Sequence, residues 1–322
     1  MWTGVWHTVG SEPALQALAL ILAVMACDAV WRWPRAYHPL TLMRQLAETM
    51  ARRVRPGSAY PVSQHQLSGT LGATVLLGPL LVLLALLVNM AEYPVFFEGL
   101  ILLAILDFGH DRKAYKQVRT ALHREKKMLA RDRLQLLVAR DTDRLSPVGI
   151  AKAAIEALVL RFCYIYCAVV FWFLLAGPVA ALTYRLLLLL SWQWHHRRPG
   201  FEYFVAPVQR LTRLLAIVPA WLATFLLISV THPINAIQAA RRSPATDSTS
   251  LLLALVGGAL GFQLGGPAIY QQQKFRYPRV GGTREVRLSD VSRAKHAIDR
   301  TNILMVILLL LAFIAYWPMG WL

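Results

Sequence analysis

The sequence contains few charged residues for its length. Of its 322 residues only 16% are charged and 57% are hydrophobic, whereas a soluble domain carries about 25% charged residues. The apolar residues form runs near the ~20 residues that a helix needs to cross a bilayer, most clearly at 15–31, 71–90 and 303–317. This composition excludes an ordinary soluble domain. Spans this apolar are predicted to be helices, because lipid offers no partner to an open sheet edge.

Acidic residues are scarcer still, with 17 Asp and Glu against 34 Lys and Arg and a net charge of +17. Thirty of the 34 basic residues lie in the four stretches 32–55, 112–152, 197–213 and 274–300. With the N-terminus outside, all four stretches fall on one face of the membrane, which the positive-inside rule assigns to the cytoplasm. The charge is therefore explained by orientation, with attraction to anionic lipid headgroups as a secondary effect. No recognisable nucleic-acid module accompanies it, and we expect no nucleic-acid partner.

Three cysteines give no disulfide framework. Cys163 and Cys167 are four residues apart, a spacing that could bind metal but that more often reflects small packing residues in a helix. A phosphate loop, HExxH, a CxxC pair and a GxSxG elbow are absent from the sequence. The run His195-His196-Arg197-Arg198 could attract an anion, but a basic collar at a helix end is the favoured interpretation.

The order of these segments predicts an all-α, polytopic integral membrane protein. We expect six to eight transmembrane helices in a single domain over 1–322, with eight crossings as the working count. No basic residue precedes the first run, so we expect a permanent helix rather than a cleaved signal. Basic cytoplasmic loops are predicted at 109–156, with amphipathic surface helices, and at 271–300. The predicted spans and their connections are 15–31, 71–90, 95–108, 162–175, 179–194, 215–230, 250–270 and 303–317, with a polar external loop at 231–249.

Local signals refine this outline. Ser146-Pro147 is a good helix start, because a hydroxyl N-cap precedes proline in the first turn. Gly177-Pro178 is expected to break the fourth run from the fifth, giving a helical hairpin. In the basic loop, one helical face is predicted to carry Tyr115, Val118, Leu122 and Leu129.

Two clusters carry the candidate chemistry. Arg140-Asp141-Thr142 precedes the helix that bears Glu156, so two carboxylates are expected near one membrane surface. They could hold Mg²⁺ or act as acid and base, or they could form salt bridges in a very basic loop. In the second cluster Gly257, Gly261 and Gly265 recur every fourth residue, which predicts a helix face open to close approach. Gln263 within that stretch would need hydrogen-bond partners.

These clusters are where the chain resembles a known family. The segment GALGFQLGGPAIY at 258–270 resembles the C-terminal signature of the CobD/CbiB cobalamin-biosynthesis proteins. Arg140-Asp141-Thr142 with Glu156 resembles the central motif of that family, and Asp28 with His38-Pro39 resembles its N-terminal motif. The resemblance implies a bacterial inner-membrane enzyme, adenosylcobinamide-phosphate synthase. Such an enzyme joins aminopropanol or its phosphate to adenosylcobyric acid through an amide bond, using ATP and Mg²⁺.

Several positions depart from the family pattern. Where the family has a second Glu, an Asn and an Asp after the central glutamate, this chain has Leu160, Arg161 and Tyr164. An ATP-dependent ligation needs carboxylates for Mg²⁺ and polar groups around the acyl phosphate, so much of that equipment is missing. The altered middle, from Phe171-Trp172 to the Trp-Gln-Trp at 192–194, resembles AmpE, a related family of inner-membrane proteins. The other departures are Leu188, Leu189, Leu190, Ser191 and Trp192 in place of an Asn-Thr-x-Asp-Ser motif, Thr212 and Arg213 in place of two Asp, and Trp221 in place of an Arg.

Two functions therefore stay open on the sequence. One is the cobalamin-biosynthesis role, with ATP and Mg²⁺ as cofactors if the family activity is retained and a corrinoid or nucleotide as ligand. The other is a non-catalytic AmpE-like sensor or scaffold, whose partners would be other membrane proteins or a second copy of the chain. The residues expected at the site are Asp141 and Glu156 as catalytic groups and His38, Arg140, Thr142, Gln263, Gly265 and Gly266 as substrate-binding groups. No residue is predicted to be a resident metal ligand.

Overall fold

The computed structural model describes residues 12–31, 33–245 and 247–316. These residues form twelve α-helices and four short strands. The expected N-terminal segment before Glu12 and the end of the last run at Trp317 lie outside the described residues. In chain order the helices are α1 (Pro13–Val30), α2 (Pro39–Val54), α3 (Val62–Met90), α4 (Pro94–Leu106), α5 (Gly109–His123), α6 (Lys127–Gln135), α7 (Pro147–Arg161), α8 (Ala168–Gln193), α9 (Ala206–Ser229), α10 (Pro233–Arg241), α11 (Ser248–Leu260) and α12 (Leu288–Tyr316). The strands are β1 (Gln263–Gly265), β2 (Ala268–Tyr270), β3 (Gln273–Phe275) and β4 (Arg279–Gly281).

Five helical segments of the described chain are long and apolar enough to cross a membrane. They are α1, α3, the continuous stretch Pro147–Gln193, α9 and α12. The stretch Pro147–Gln193 contains a π-helical turn at Phe162–Cys167 and a break at Gly177, whose φ is +78°. The predicted break is therefore confirmed, since φ in that region favours glycine. The chain is a multi-pass helical membrane protein, as its composition predicts.

The chain divides into two compact units. Among the described residues, unit 1 comprises those within 12–107, 168–216 and 306–316, and unit 2 comprises those within 108–167 and 217–305. In unit 1 the indole of Trp194 is fully buried and donates to the carbonyl of Ala47 at 2.9 Å. In unit 2 the phenol of Tyr115 is buried and donates to the carbonyl of Val291 at 2.7 Å.

The predicted span at 250–270 is wrong in its second half. Helix α11 ends at Leu260, and Gly261 caps it in the left-handed conformation with φ +79°. The next residues form β1, which pairs with β4 so that Gln263 lies opposite Gly281. The glycine spacing therefore does not make one helix face. A side chain at Gly261 would meet no atom within 4 Å, whereas one at Gly258 would lie 2.3 Å from Cβ of Ala239 in α10, so the close helix approach occurs at Gly258.

Two smaller expectations are also corrected, and one stays untested. The run at 95–108 forms α4, whose 13 residues extend about 20 Å at 1.5 Å per residue, less than the hydrocarbon core. Its crossing, which places the stretches 32–55 and 112–152 on the same face, therefore stays a prediction. The loop at 231–249 contains helix α10. In the basic loop Tyr115, Val118 and Leu122 are buried as predicted, but Leu129 is 40% exposed, because the chain leaves the helix at Glu125 with φ +57°.

Candidate functional site

Glu156 links three separate segments of unit 2. It lies on α7, which begins as predicted: the Ser146 hydroxyl accepts from the amide of Gly149 at 3.1 Å, with Pro147 in the first turn. The Glu156 side chain is buried. Its Oε2 accepts from Nη2 of Arg140 at 2.6 Å, and its Oε1 accepts from the backbone amide of Gly265 at 2.6 Å. Both carboxylate oxygens are thus held by charge-assisted hydrogen bonds.

Asp141 holds the hairpin that joins β2 to β3. Its amide donates to the carbonyl of Ile269 at 2.8 Å, and its Oδ2 accepts from the amide of Gln272 at 2.9 Å. Gln271 and Gln272 have φ of +45° and +67°, the left-handed pair expected of a type I′ hairpin turn. The carboxylate therefore stabilises a turn that non-glycine residues adopt at some cost.

The signature glycines Gly265 and Gly266 form a tight turn between β1 and β2. Their φ values are +73° and +92°, and a side chain at Gly265 would lie 2.3 Å from the carbonyl oxygen of Pro278. Glycine is required there by both conformation and space. Above Gly266 the nearest atoms are Nζ of Lys152 and the side chain of Arg279.

The structure brings five of the eight predicted site residues together. Arg140, Asp141, Glu156, Gly265 and Gly266 form this cluster in unit 2.

The other three predicted residues have different surroundings. Gln263, on β1, donates weakly to the carbonyl of Thr283 at 3.4 Å. Thr142 follows Asp141 in the chain, and its side chain is buried. His38 belongs to unit 1, where its Nδ1 accepts from the amide of Leu40 and its Nε2 lies 3.7 Å from Oδ1 of Asp107. His38 therefore caps helix α2, a structural role.

Sequence reasoning missed Lys152. It lies on α7 four residues before Glu156, and it is half-buried. The signal was available, because Lys152 and Glu156 are the only charged residues of 147–160 and residues four apart share a helix face.

Positions that depart from the family pattern have acquired structural partners. Arg161 donates to Oδ1 of Asp111 at 2.8 Å and, through Nε and Nη2, to the carbonyl of Leu137 at 3.2 and 3.1 Å. The hydroxyl of Tyr164 lies 3.3 Å from that of Thr249. In unit 1 the Thr212 hydroxyl donates to the carbonyl of Val208 in its own helix. These side chains support the fold rather than present free polar groups to a substrate.

The donor set for Mg²⁺ is correspondingly poor. Within the described ranges, no group of three or more His, Cys, Asp or Glu side chains could hold a metal ion. Both oxygens of Glu156 and one oxygen of Asp141 already accept hydrogen bonds from the protein, and Mg²⁺ in proteins is usually bound by one or two carboxylates together with substrate phosphates. Cys163 and Cys167 are buried in the packing role favoured by the sequence. These residues do not fit a resident Mg²⁺ site.

The second basic candidate, at 195–198, lies in unit 1. Burial, followed by neighbouring cations, lowers the pKa of His195 to about 4, and burial likewise lowers the pKa of His196 to about 4. Arg198 is bound through both terminal nitrogens to Glu48 at 3.0 Å, and this guanidinium lowers the pKa of the Glu48 carboxyl to about 2. Near neutral pH the histidines are uncharged and Arg198 is neutralised. The geometry favours the structural collar over an anion site.

Comparison with known proteins agrees with the resemblance in the sequence. The chain is 28% identical over 293 residues to the cobalamin biosynthesis protein CobD of Chromobacterium violaceum, covering 88% of this chain and 92% of that protein. It is 29% identical over 266 residues to the CobD of Stutzerimonas stutzeri, covering 81% and 86% of the two chains. It is 25% identical over 296 residues to the CobD of Rhizobium meliloti, covering 88% of each.

No solved structure matches the chain significantly. None of these comparisons favours the AmpE-like alternative. The profile of the family described as CobD/Cbib protein matches residues 20–298, a range that begins within α1, ends within α12 and contains all eight candidate site residues. The chain belongs to the CobD/Cbib protein family.

Proposed function

We propose that this chain is a membrane protein of cobalamin biosynthesis that binds an anionic ligand of that pathway without itself forming the amide bond. The ligand is adenosylcobyric acid or a nucleotide, two of the acidic reactants that the family resemblance implies. The pathway follows from membership of a family whose named relatives are cobalamin biosynthesis proteins. That the chain forms a single domain over 1–322 stays a prediction.

The observation that carries the binding role is that both carboxylate oxygens of Glu156 accept hydrogen bonds from the protein. Because this carboxylate is shared between Arg140 and the amide of Gly265, it neutralises Arg140 and fixes the glycine turn. The cationic side chains nearest to Gly266 are then those of Lys152 and Arg279. A positive surface held on a rigid turn is suited to an anionic ligand.

The same two hydrogen bonds argue against a catalytic role for Glu156. A general base or metal ligand needs an oxygen directed at the reacting groups, but both oxygens of Glu156 accept hydrogen bonds from the protein. One oxygen of Asp141 accepts a hydrogen bond from the amide of Gln272. Both carboxylates therefore act by positioning Arg140 and the two turns.

Ligand binding is tested with the full chain purified in detergent. We expect adenosylcobyric acid or ATP, titrated at low ionic strength, to bind with an affinity that falls as salt is raised, because the attraction is between charges near a surface. The control is an uncharged corrinoid, which lacks the anionic group. Absence of binding by both acidic ligands at low salt would refute the proposed function.

We further propose that the membrane is the bacterial inner membrane and that the basic loops face the cytoplasm. The charge distribution supports this orientation through the positive-inside rule. Cysteine labelling in intact cells tests it at two exposed positions: Lys126→Cys should be protected from an impermeant reagent and Arg242→Cys, near Asp247, should react. Labelling of Lys126→Cys with protection of Arg242→Cys would reverse the orientation.

A further inference from the structure

Lys152 is a half-buried cation without a direct partner. Among the residues that the structure describes, its ammonium makes no hydrogen bond or salt bridge. The charges that act on it are those of Glu156, Arg279, Arg140 and Glu285. Glu156 already accepts hydrogen bonds from Arg140 and from the amide of Gly265, so its negative charge is largely balanced by Arg140. Withdrawing an ammonium from water without a partner costs free energy, and a ligand that supplied the partner would recover it.

Arg279 approaches the same point from the opposite element. The position that a Cβ on Gly266 would occupy lies 3.4 Å from Nζ of Lys152 and 3.9 Å from Nε of Arg279. Lys152 lies on α7 and Arg279 on β4. Since Gly266 has no side chain, the space between the two cations is kept open. A small anion placed over Gly266 could therefore contact both nitrogens.

The site is open to solvent on the Arg279 side. That side chain is 60% exposed, and its salt bridge to Glu285 is long, at 3.8 Å, with Glu285 76% exposed. An ion pair this exposed contributes little, so it does not compete strongly with a ligand. Arg140, at 13% exposure, stays bound to Glu156. The surplus charge at the turn is thus that of Lys152 and Arg279.

Resting on the proposed function, we propose that Lys152 and Arg279 bind a phosphate group of the soluble ligand over Gly266. Two cations from different elements match a phosphate dianion better than a single carboxylate, because the two negative charges of the dianion balance both cations and its oxygens accept from both donors. An ammonium is a common point-charge contact for phosphate, and a guanidinium adds directed donors. The ligand class is therefore a phosphate monoester or nucleotide, and the corrinoid carboxylate would bind elsewhere.

The test uses the full chain in nanodiscs of zwitterionic lipid, with inorganic phosphate as the probe. We expect Lys152→Gln to weaken phosphate binding about tenfold or more and Arg279→Gln to weaken it several-fold, as for loss of hydrogen bonds to a charged group. The matched control is Lys116→Gln, which removes the same charge from an exposed position on helix α5 of the same unit. Binding by Lys152→Gln equal to that of the wild type, or no binding by the wild type, would overturn the proposal.

Two further measurements separate ligand binding from other roles. Without phosphate, Lys152→Met should unfold at a temperature equal to or above that of the wild type, because an unpartnered charge is removed; a lower temperature would indicate a structural lysine and contradict the proposal. In nanodiscs containing phosphatidic acid at equal ionic strength, phosphate should still bind; its exclusion there would assign the site to a lipid phosphate. Failure of acidic pathway ligands to bind while phosphate still binds would refute only the proposed function.

Discussion

Glu156→Ala is expected to lower the free energy of unfolding by about 3–5 kcal/mol, the usual cost of leaving one partner of a buried ion pair uncompensated. Arg140 would keep its charge at 13% side-chain exposure, and the amide of Gly265 would lose its acceptor. Glu156→Gln should cost less, because an amide oxygen can still accept from Gly265. Thermal unfolding of both variants in detergent measures the effect. The glycine turn, which depends on this contact, should also become more susceptible to proteolysis.

The matched control is Asp132→Ala. Asp132 is an exposed carboxylate on helix α6 of the same unit, and its replacement should change the free energy of unfolding by less than about 0.5 kcal/mol, as is usual for surface positions. If Glu156→Ala unfolds like this control, Glu156 does not hold the turn. Its carboxylate would then be free for catalysis, and the positioning role assigned to it would be wrong.

The helical framework could be predicted because its signals are local. Long apolar runs, the Ser146-Pro147 start and the Gly177 break each act within a few residues, and the structure confirms them. The glycine-rich segment failed for the opposite reason. Its fourfold spacing is typical of a helix face, but Gly261 and Gly265 serve left-handed turns, and β1 pairs with β4 through residues that are distant in the chain.

The candidate site, like the fold, could be predicted from the sequence only in part. Its residue types could be recognised from motifs, so Arg140, Asp141 and Glu156 were identified. Their roles could not, because Glu156 meets Gly265 across 109 positions of sequence, and no periodicity reports such a contact. A hydrogen bond from a backbone amide to a distant carboxylate is visible only once the fold is known. Lys152 was missed because a single lysine on an apolar helix ordinarily marks a helix end near headgroups.

The second large effect concerns chemistry: the purified chain is expected to form no amide product. Losing one preorganised contact to the reacting groups typically costs about 10²–10³ in rate. Where the resemblance leads us to expect acidic and amide side chains, the chain has Leu160, Arg161 and Tyr164, and the last two contact Asp111 and Thr249. Such losses are not additive, but several together should leave too little activity to support growth of a strain that lacks the synthase.

The most direct measurement incubates the full chain with adenosylcobyric acid, aminopropanol phosphate, ATP and Mg²⁺ and follows the amide product by mass spectrometry. The same preparation must first bind an acidic ligand, which shows that it is folded. We predict ligand binding without product above the protein-free background. Steady product formation that Glu156→Gln abolishes and Asp132→Asn leaves unchanged would contradict this account and establish the chain as an active amide-forming enzyme.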